Sequence, residues 1–204
     1  MRKFLFLMTM ATVLIGCKSN EEKALEAIKN EMFKTLYDFE SYEPIDTKID
    51  SAFRSAYTDS VILKNGFFIS EAMKEVKEAL NNVDDANRSM DIWGDSFTST
   101  GRREFEKAKI KADTNLKMAE LYMKRGKEKQ DSIRALASKI KPDFYGWKVT
   151  HRFRCKTKGG HSSIGIYMYV FDKDFNNIIY MEDTEDEGLL KARNFIREAL
   201  EDKE

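Results

Sequence analysis

Residues 147–155 read WKVTHRFRC, and apolar or aromatic side chains alternate here with polar ones. A period of two residues is typical of a β-strand with one buried face. The stretch 164–171, IGIYMYVF, is apolar on both faces and is predicted to be the central strand of the sheet. Residues 178–181 give a third strand. The short turns between these stretches, rich in Gly, Asp and Asn, predict a three-stranded antiparallel meander.

The segments on either side of this sheet have helical periodicity. After the sheet, Thr184 and Glu187 are predicted to form a capping box for a helix that ends near residue 201. Before Gly146, the spacing of apolar residues is close to 3.6 and predicts four helices. Their expected ranges are 21–37, about 47–65, 71–90 and 102–140.

The helix at 102–140 carries a seven-residue repeat of mostly small side chains, among them Ala112, Ala119 and Gly126. Small residues favour close packing, so we expect an intramolecular antiparallel hairpin with helix 71–90. A seam between two copies of the chain is the alternative. Because helices and strands are segregated along the chain, the fold class is predicted to be α+β. We expect one α+β domain over 17–204, with a helical part at 21–141 and a sheet plus helix at 145–201.

The first seventeen residues form a separate segment. Arg2 and Lys3 precede the uncharged stretch 4–15, which is followed by Gly16 and Cys17. A helix of this length spans about 18 Å, too short for a hydrocarbon core of about 30 Å. Leu14-Ile15-Gly16-Cys17 resembles the lipobox of bacterial lipoproteins. The resemblance implies that residues 1–16 are a signal peptide and that Cys17 is the lipidation site. An ordinary signal peptide with a chance cysteine is the alternative.

The residues after Cys17 bear on location. An Asp directly after the cysteine would resemble the inner-membrane retention signal, but this position is Lys18. Because that signal is absent, we expect a lipid-anchored protein of the outer membrane in the cell envelope. Ser19-Asn20-Glu21-Glu22 resembles the short surface-export tag of Bacteroidetes lipoproteins. The other interpretation is the acidic first turn of a helix. The side of the membrane that the body faces, periplasmic or surface, stays open.

Three groups of residues could carry chemistry. Cys155 could form a Cys–His dyad with His161 across the first hairpin. The alternative is a buried thiol and a loop histidine that do not act together. The stretch 172–176 has the spacing of an EF-hand loop, but Asn177 stands where that loop needs Gly, so a hairpin turn is expected. Two groups of charged residues could bind ions or be solvated. The members of the basic row are Lys148, Arg152, Arg154, Lys156 and Lys158. The members of the acidic run are Glu182, Asp183, Glu185, Asp186 and Glu187. We expect no catalytic residue, metal or cofactor.

These observations favour a lipid-anchored cell-envelope protein that binds or scaffolds and is not an enzyme. The chain has 35 basic and 35 acidic side chains, which argues against nucleic acid as a partner. The expected partners are the membrane, through the anchor, and an envelope protein or glycan. The alternative function is small-ligand or glycan binding by the sheet face. Its candidate residues are Trp147, His151, Tyr167 and Tyr169.

Overall fold

A computed structural model describes residues 18–201 and confirms the α+β class. The lipobox and Cys17 lie outside the described residues. A short 3-10 turn, Phe39–Ser41, follows the first helix. The elements in chain order are α1 Asn20–Thr35, β1 Glu43–Phe53, α2 Ser60–Trp93, α3 Ser99–Ala137, β2 Phe144–Lys156, β3 Ser162–Phe171, β4 Ile178–Asp183 and α4 Glu187–Glu201.

The sheet has four strands in the order β1-β2-β3-β4. Strands β2 and β3 pair antiparallel, with His151 opposite Tyr167. Strand β1 is antiparallel to β2, because Thr47 Oγ1 lies 2.8 Å from His151 Nδ1 while the Arg54 amide donates to Asp143 at 3.0 Å. The three strands predicted from the sequence are therefore β2, β3 and β4.

The predicted helix at 47–65 is wrong over its first half, where the chain forms strand β1. Ile49 and Phe53 are four residues apart, and this spacing places two side chains on one face of a helix and also on one face of a strand. The alternation of Ile45 and Thr47 with charged neighbours distinguishes the two and indicates a strand. Pro44 is compatible with it, since β1 is an edge strand.

The chain forms two compact units, each built from two segments. We call them the sheet unit, residues 18–51 and Gly146–Met181, and the hairpin unit, Ala52–Tyr145 and residues 182–201. The predicted boundary between a helical part and a sheet part followed the chain order. The units instead join distant segments, because α1 belongs with the sheet and α4 with the hairpin.

The sheet unit is held together by the packing of α1 against the sheet. Ala24, Ile28 and Met32 recur at four-residue intervals and are fully buried. They share a core with side chains of β2 and β3, among them Val149, Phe153, Tyr169 and Phe171. Burying a large apolar side chain stabilises by about 1.5–3 kcal/mol. Ser19 begins the helix with a capping box, in which the Ser19 amide donates to Glu22 at 2.8 Å.

The hairpin unit contains the predicted pair of long helices, α2 with 34 residues and α3 with 39. Small residues line their interface, including Ala79 and Ala119. Helix α2 begins at Ser60 and not near residue 71, because the Asp59 carboxylate accepts the Val61 and Ile62 amides at 2.9 and 3.0 Å. None of the helices within residues 18–201 is long and apolar enough to cross a membrane.

Two further details of the hairpin unit differ from the prediction. The stretch at Asn65-Gly66 was expected to end a helix, yet α2 continues through it. A Cβ on Gly66 would lie 2.7 Å from the Ala192 carbonyl oxygen, so this glycine allows α2 and α4 to pack closely. The cap of α4 is Asp186 and not Thr184, since Asp186 Oδ1 accepts the Leu189 amide at 2.7 Å.

Two of the helical glycines, Gly66 and Gly126, should respond in opposite ways to alanine. Gly66→Ala forces a Cβ against the Ala192 carbonyl oxygen and should destabilise by about 1–3 kcal/mol. Gly126→Ala meets nothing within 4 Å and should stabilise by about 0.5–1 kcal/mol, because alanine is the better helix former. Urea unfolding of both variants measures the two changes. A stable Gly66→Ala variant would contradict the close packing of α2 against α4.

Candidate functional site

The four residues predicted to bind a ligand share one face of β2 and β3, but α1 covers that face. His151 and Tyr169 are fully buried. The Trp147 ring stacks on Phe175 at 5.6 Å, and its Nε1 donates to the Lys173 carbonyl at 3.1 Å. His151, Tyr167 and Tyr169 lie close together, whereas Trp147 belongs to a separate aromatic group. Trp147 and Tyr167 are partly exposed, whereas a ligand would have to displace α1 to reach His151 and Tyr169. The role of all four in binding stays a prediction.

His151 is held by two hydroxyl groups. The Tyr42 hydroxyl lies 2.7 Å from Nε2, and Thr47 Oγ1 lies 2.8 Å from Nδ1. Burial lowers the pKa of His151 below its ordinary value of 6.5, and nearby Asp46 opposes this shift only in part. The ring is therefore neutral, with one nitrogen donating and the other accepting. His151 therefore joins β1 to β2. Because both of its ring nitrogens are hydrogen-bonded in the core, it is not free to transfer protons.

Tyr169 carries a buried hydroxyl that has no hydrogen-bond partner within residues 18–201. Burial raises the pKa of this phenol, and the nearby Tyr167 adds to the effect. The phenol therefore stays protonated over the physiological range. An unpaired buried polar group costs about 1–3 kcal/mol, so this hydroxyl reduces the stability of the sheet unit.

A surface groove of about 370 Å³ lies next to this network in the sheet unit. Phe39 and Tyr42 form part of its wall, with their rings stacked at 5.6 Å. Because Tyr42 also contacts His151, the groove adjoins the hydrogen-bond network of that histidine. The groove is not predicted from the sequence, since the segment around the 3-10 turn has no periodic pattern. The lining residues are Leu25, Lys29, Phe39, Glu40, Tyr42 and Pro44.

The Cys155–His161 arrangement does not activate the thiol. Cys155 pairs with Ser163, and His161 lies further along in the turn, where its carbonyl accepts the Thr157 amide at 2.9 Å. Burial raises the pKa of Cys155, and the charge of Asp38 raises it further. A thiol shifted in this direction is protonated and weakly nucleophilic at neutral pH.

The segment that resembles an EF-hand loop is a hairpin turn. The Asp172 carboxylate accepts the Asn176 amide at 2.8 Å and the Asn177 side-chain amide at 2.9 Å. These bonds lower the pKa of Asp172. Phe175 takes a left-handed conformation, with φ of 57°, to complete the turn. Within residues 18–201 no three His, Cys, Asp or Glu side chains come together as possible metal ligands.

The charged runs also have local partners. In the basic row, Arg154 pairs with Glu43 of the neighbouring strand β1 at 3.4 Å. In the acidic run, Glu182 is buried and pairs with Arg193 of α4 at 2.8 Å. Asp183 accepts the Glu185 amide at 2.9 Å, which orders the approach to α4. Glu182 and Asp183 of the acidic run thus help to hold the fold, and one member of the basic row has an ion-pair partner.

The hairpin unit has a larger open groove, of about 490 Å³. It forms where the segment 54–60, just before and at the start of α2, meets the segment 139–145 that follows α3. The Arg54 amide donates to the Asp143 carbonyl at 3.0 Å and joins the two segments. We call this feature the cationic groove, and its lining residues are Arg54, Ser55, Thr58, Asp59, Ser60, Lys139, Ile140, Lys141, Asp143 and Tyr145.

The polar groups of the cationic groove are held in place by a short turn. The Ser55 amide donates to Thr58 Oγ1 at 2.9 Å, and the Thr58 amide donates to the Ser55 carbonyl at 3.1 Å. Tyr145 lies beside Thr58 and Arg54, and burial raises the pKa of its phenol despite both neighbours. The two segments are far apart in the sequence, and they are brought together by the antiparallel pairing of β1 with β2 and by the packing of α2 against the end of α3. The site is therefore not predicted from local sequence patterns.

The buried His151 should make stability depend on pH. Its folded-state pKa lies below 6.5, so the unfolded chain binds a proton more readily. The free energy of unfolding should therefore be highest above about pH 6.5 and fall below it, by up to about 1.4 kcal/mol per pH unit. Urea unfolding at about pH 7.5 and about pH 5.5 measures this loss. His151→Asn should lose less stability on acidification than the parent chain, whereas His161→Asn should match the parent. Equal losses in both variants would contradict this assignment.

Comparisons of the whole chain with known proteins return nothing: no protein-family model, no curated protein and no solved structure matches it.

Proposed function

We propose that this chain is a lipid-anchored protein of the outer membrane whose body binds a partner and does not catalyse a reaction. The observation that carries the proposal is the lipobox-like stretch Leu14-Ile15-Gly16-Cys17. Two buried acyl chains or more would give stable anchoring, at about 0.8 kcal/mol for each CH₂ group. The tether would hold the body close to the membrane and raise its local concentration for other envelope proteins.

The start of α1 supports a short tether. Helix α1 begins at Asn20, and its cap is Ser19. A few extended residues span only about 10 Å, so the body would stay near the bilayer surface. Ser19 and Glu22 form the capping box, which gives the acidic stretch a structural role. Its second role, as a surface-export tag, remains part of the proposal.

The use of the titratable groups supports binding over catalysis. The ring nitrogens of His151 are both occupied by hydroxyls, and the Cys155 thiol is shifted toward its protonated form. The surface, in contrast, offers places for a partner. Phe97 and Ile92, beside the turn between α2 and α3, are 94% and 72% exposed. Apolar side chains with this exposure are available for contact with another protein.

The anchor is tested by Cys17→Ala followed by cell fractionation. The parent chain should sediment with the outer membrane and carry acyl chains on its first mature residue by mass spectrometry. The Cys17→Ala variant should lose both properties. Cys155→Ala is the matched control, because it removes the other cysteine and should fractionate as the parent does. Membrane retention of a non-acylated Cys17→Ala chain would overturn the proposal.

A second candidate function is binding of a small ligand or glycan by the sheet unit. The groove beside Tyr42 favours it, because stacked Phe39 and Tyr42 rings lie at its wall with Lys29 and Glu40 nearby. Aromatic rings flanked by polar groups suit the apolar faces and hydroxyls of a sugar. A ligand in this groove would contact Tyr42, which joins it to the buried His151.

Titration with a neutral oligosaccharide, followed by NMR of backbone amides, tests this second function. Shifts should concentrate in residues 25–44, and Phe39→Ala should weaken binding by about tenfold, equivalent to about 1.4 kcal/mol of lost stacking. Phe97→Ala is the control, because it removes an exposed aromatic ring from the hairpin unit. Equal binding by the two variants would rule out the groove beside Tyr42.

A further inference from the structure

We infer that the cationic groove of the hairpin unit binds a small hydroxyl-rich molecule that carries an oxyanion, such as a phosphorylated or carboxylated sugar. The inference deepens the proposed binding function by naming a ligand class, and it does not depend on the lipid anchor.

The cations of the groove are available to a ligand. Arg54, Lys139 and Lys141 line it, and none of them forms an ion pair within the described part of the chain. Cations that converge on one open groove without acidic partners favour an anion. Arg54 offers the planar, two-pronged donor geometry that suits carboxylate and phosphate groups.

The two carboxylates of the groove do not cancel this charge. Asp59 uses one carboxylate oxygen to accept two amides at the start of α2, at 2.9 and 3.0 Å. The partial positive charge of the helix N-terminus offsets part of the negative charge of Asp59. Three cations thus face Asp143 and a capped Asp59, which leaves the groove positive.

The rest of the lining determines the class of ligand. Ser55, Thr58, Ser60 and Tyr145 contribute hydroxyl groups that can both donate and accept hydrogen bonds. A volume of about 490 Å³ is within the range of small-molecule sites. A single inorganic anion would use only the cations, whereas a sugar with an oxyanion would also use the hydroxyls.

Amide NMR of the ¹⁵N-labelled full chain, in the detergent used to extract it, tests the inference. The probes are glucose 6-phosphate, galacturonate, inorganic phosphate and glucose. We expect one or both anionic sugars to shift amides in residues 54–60 and 139–145, and the phosphate and carboxylate probes distinguish the two sources of the oxyanion. Binding should weaken as salt concentration rises. Glucose should bind at least about tenfold more weakly.

Variants locate the binding. Lys139→Ala with Lys141→Ala should weaken binding of the anionic sugar by about tenfold or more, since both charged hydrogen-bond donors of this segment are lost. Tyr145→Phe should weaken it by a few-fold, because the ring remains and only the hydroxyl is lost. Lys109→Ala with Lys111→Ala is the matched control, since these exposed lysines of α3 have the same spacing. The control should bind as the parent does.

Three results would overturn the inference. They are equal affinity for glucose and for both anionic sugars, equal loss in the two double-lysine variants, and binding of inorganic phosphate with neither anionic sugar. If the groove does not bind these probes, the proposal of a lipid anchor is unaffected, because fractionation of Cys17→Ala is a separate measurement. Conversely, a failed anchor leaves the groove intact on the same chain. The two proposals therefore fail separately.

Discussion

Antiparallel pairing of β1 with β2 is the constraint on which the rest of the structure depends. It brings Thr47 to His151, residues 104 positions apart in the sequence. The chain between the two strands, which includes both long helices, forms one long connection. The strand pairing joins the two ends of this connection. The entropy of closing such a long loop has to be offset by the pairing and by the core beside it. The Arg54–Asp143 backbone bond continues the pairing beyond the strands and brings together the two walls of the cationic groove.

The polar interior and the open surface have different roles in this chain. His151 sits where its two hydroxyl partners hold β1 and β2 together, and Asp172, Asp183 and Asp186 each bind amides of their own turn or helix. These groups stabilise the fold because their charges or lone pairs are used locally. The groups of the cationic groove are arranged differently, since its cations face solvent without acidic partners. Side chains that line a groove and have no partner within the fold are the ones available to a ligand.

Local patterns were enough to predict much of the fold. The alternation in WKVTHRFRC predicted β2, and the seven-residue repeat of small side chains predicted α3 and its hairpin. Strand β1 was missed because Ile49 and Phe53 satisfy both periods. Gly66 indicates the end of a helix when the sequence is considered locally, because its partner, Ala192, is distant in the sequence. The candidate site was harder, since the hydroxyls that occupy His151 come from another strand and its neighbouring turn. Both grooves depend on long-range pairing or on segments without periodicity.

The short distance between Cys17 and α1 has a mechanical consequence if the chain is acylated there. Helix α1 supplies Ala24, Ile28 and Met32 to the middle of the sheet unit's core. Because only a few residues lie between Cys17 and the helix, a force on the acyl chains would act directly on α1. Such a force would either extract the acyl chains from the bilayer or detach α1 from the sheet. The stability of the α1 packing would therefore limit the force that the folded protein can withstand.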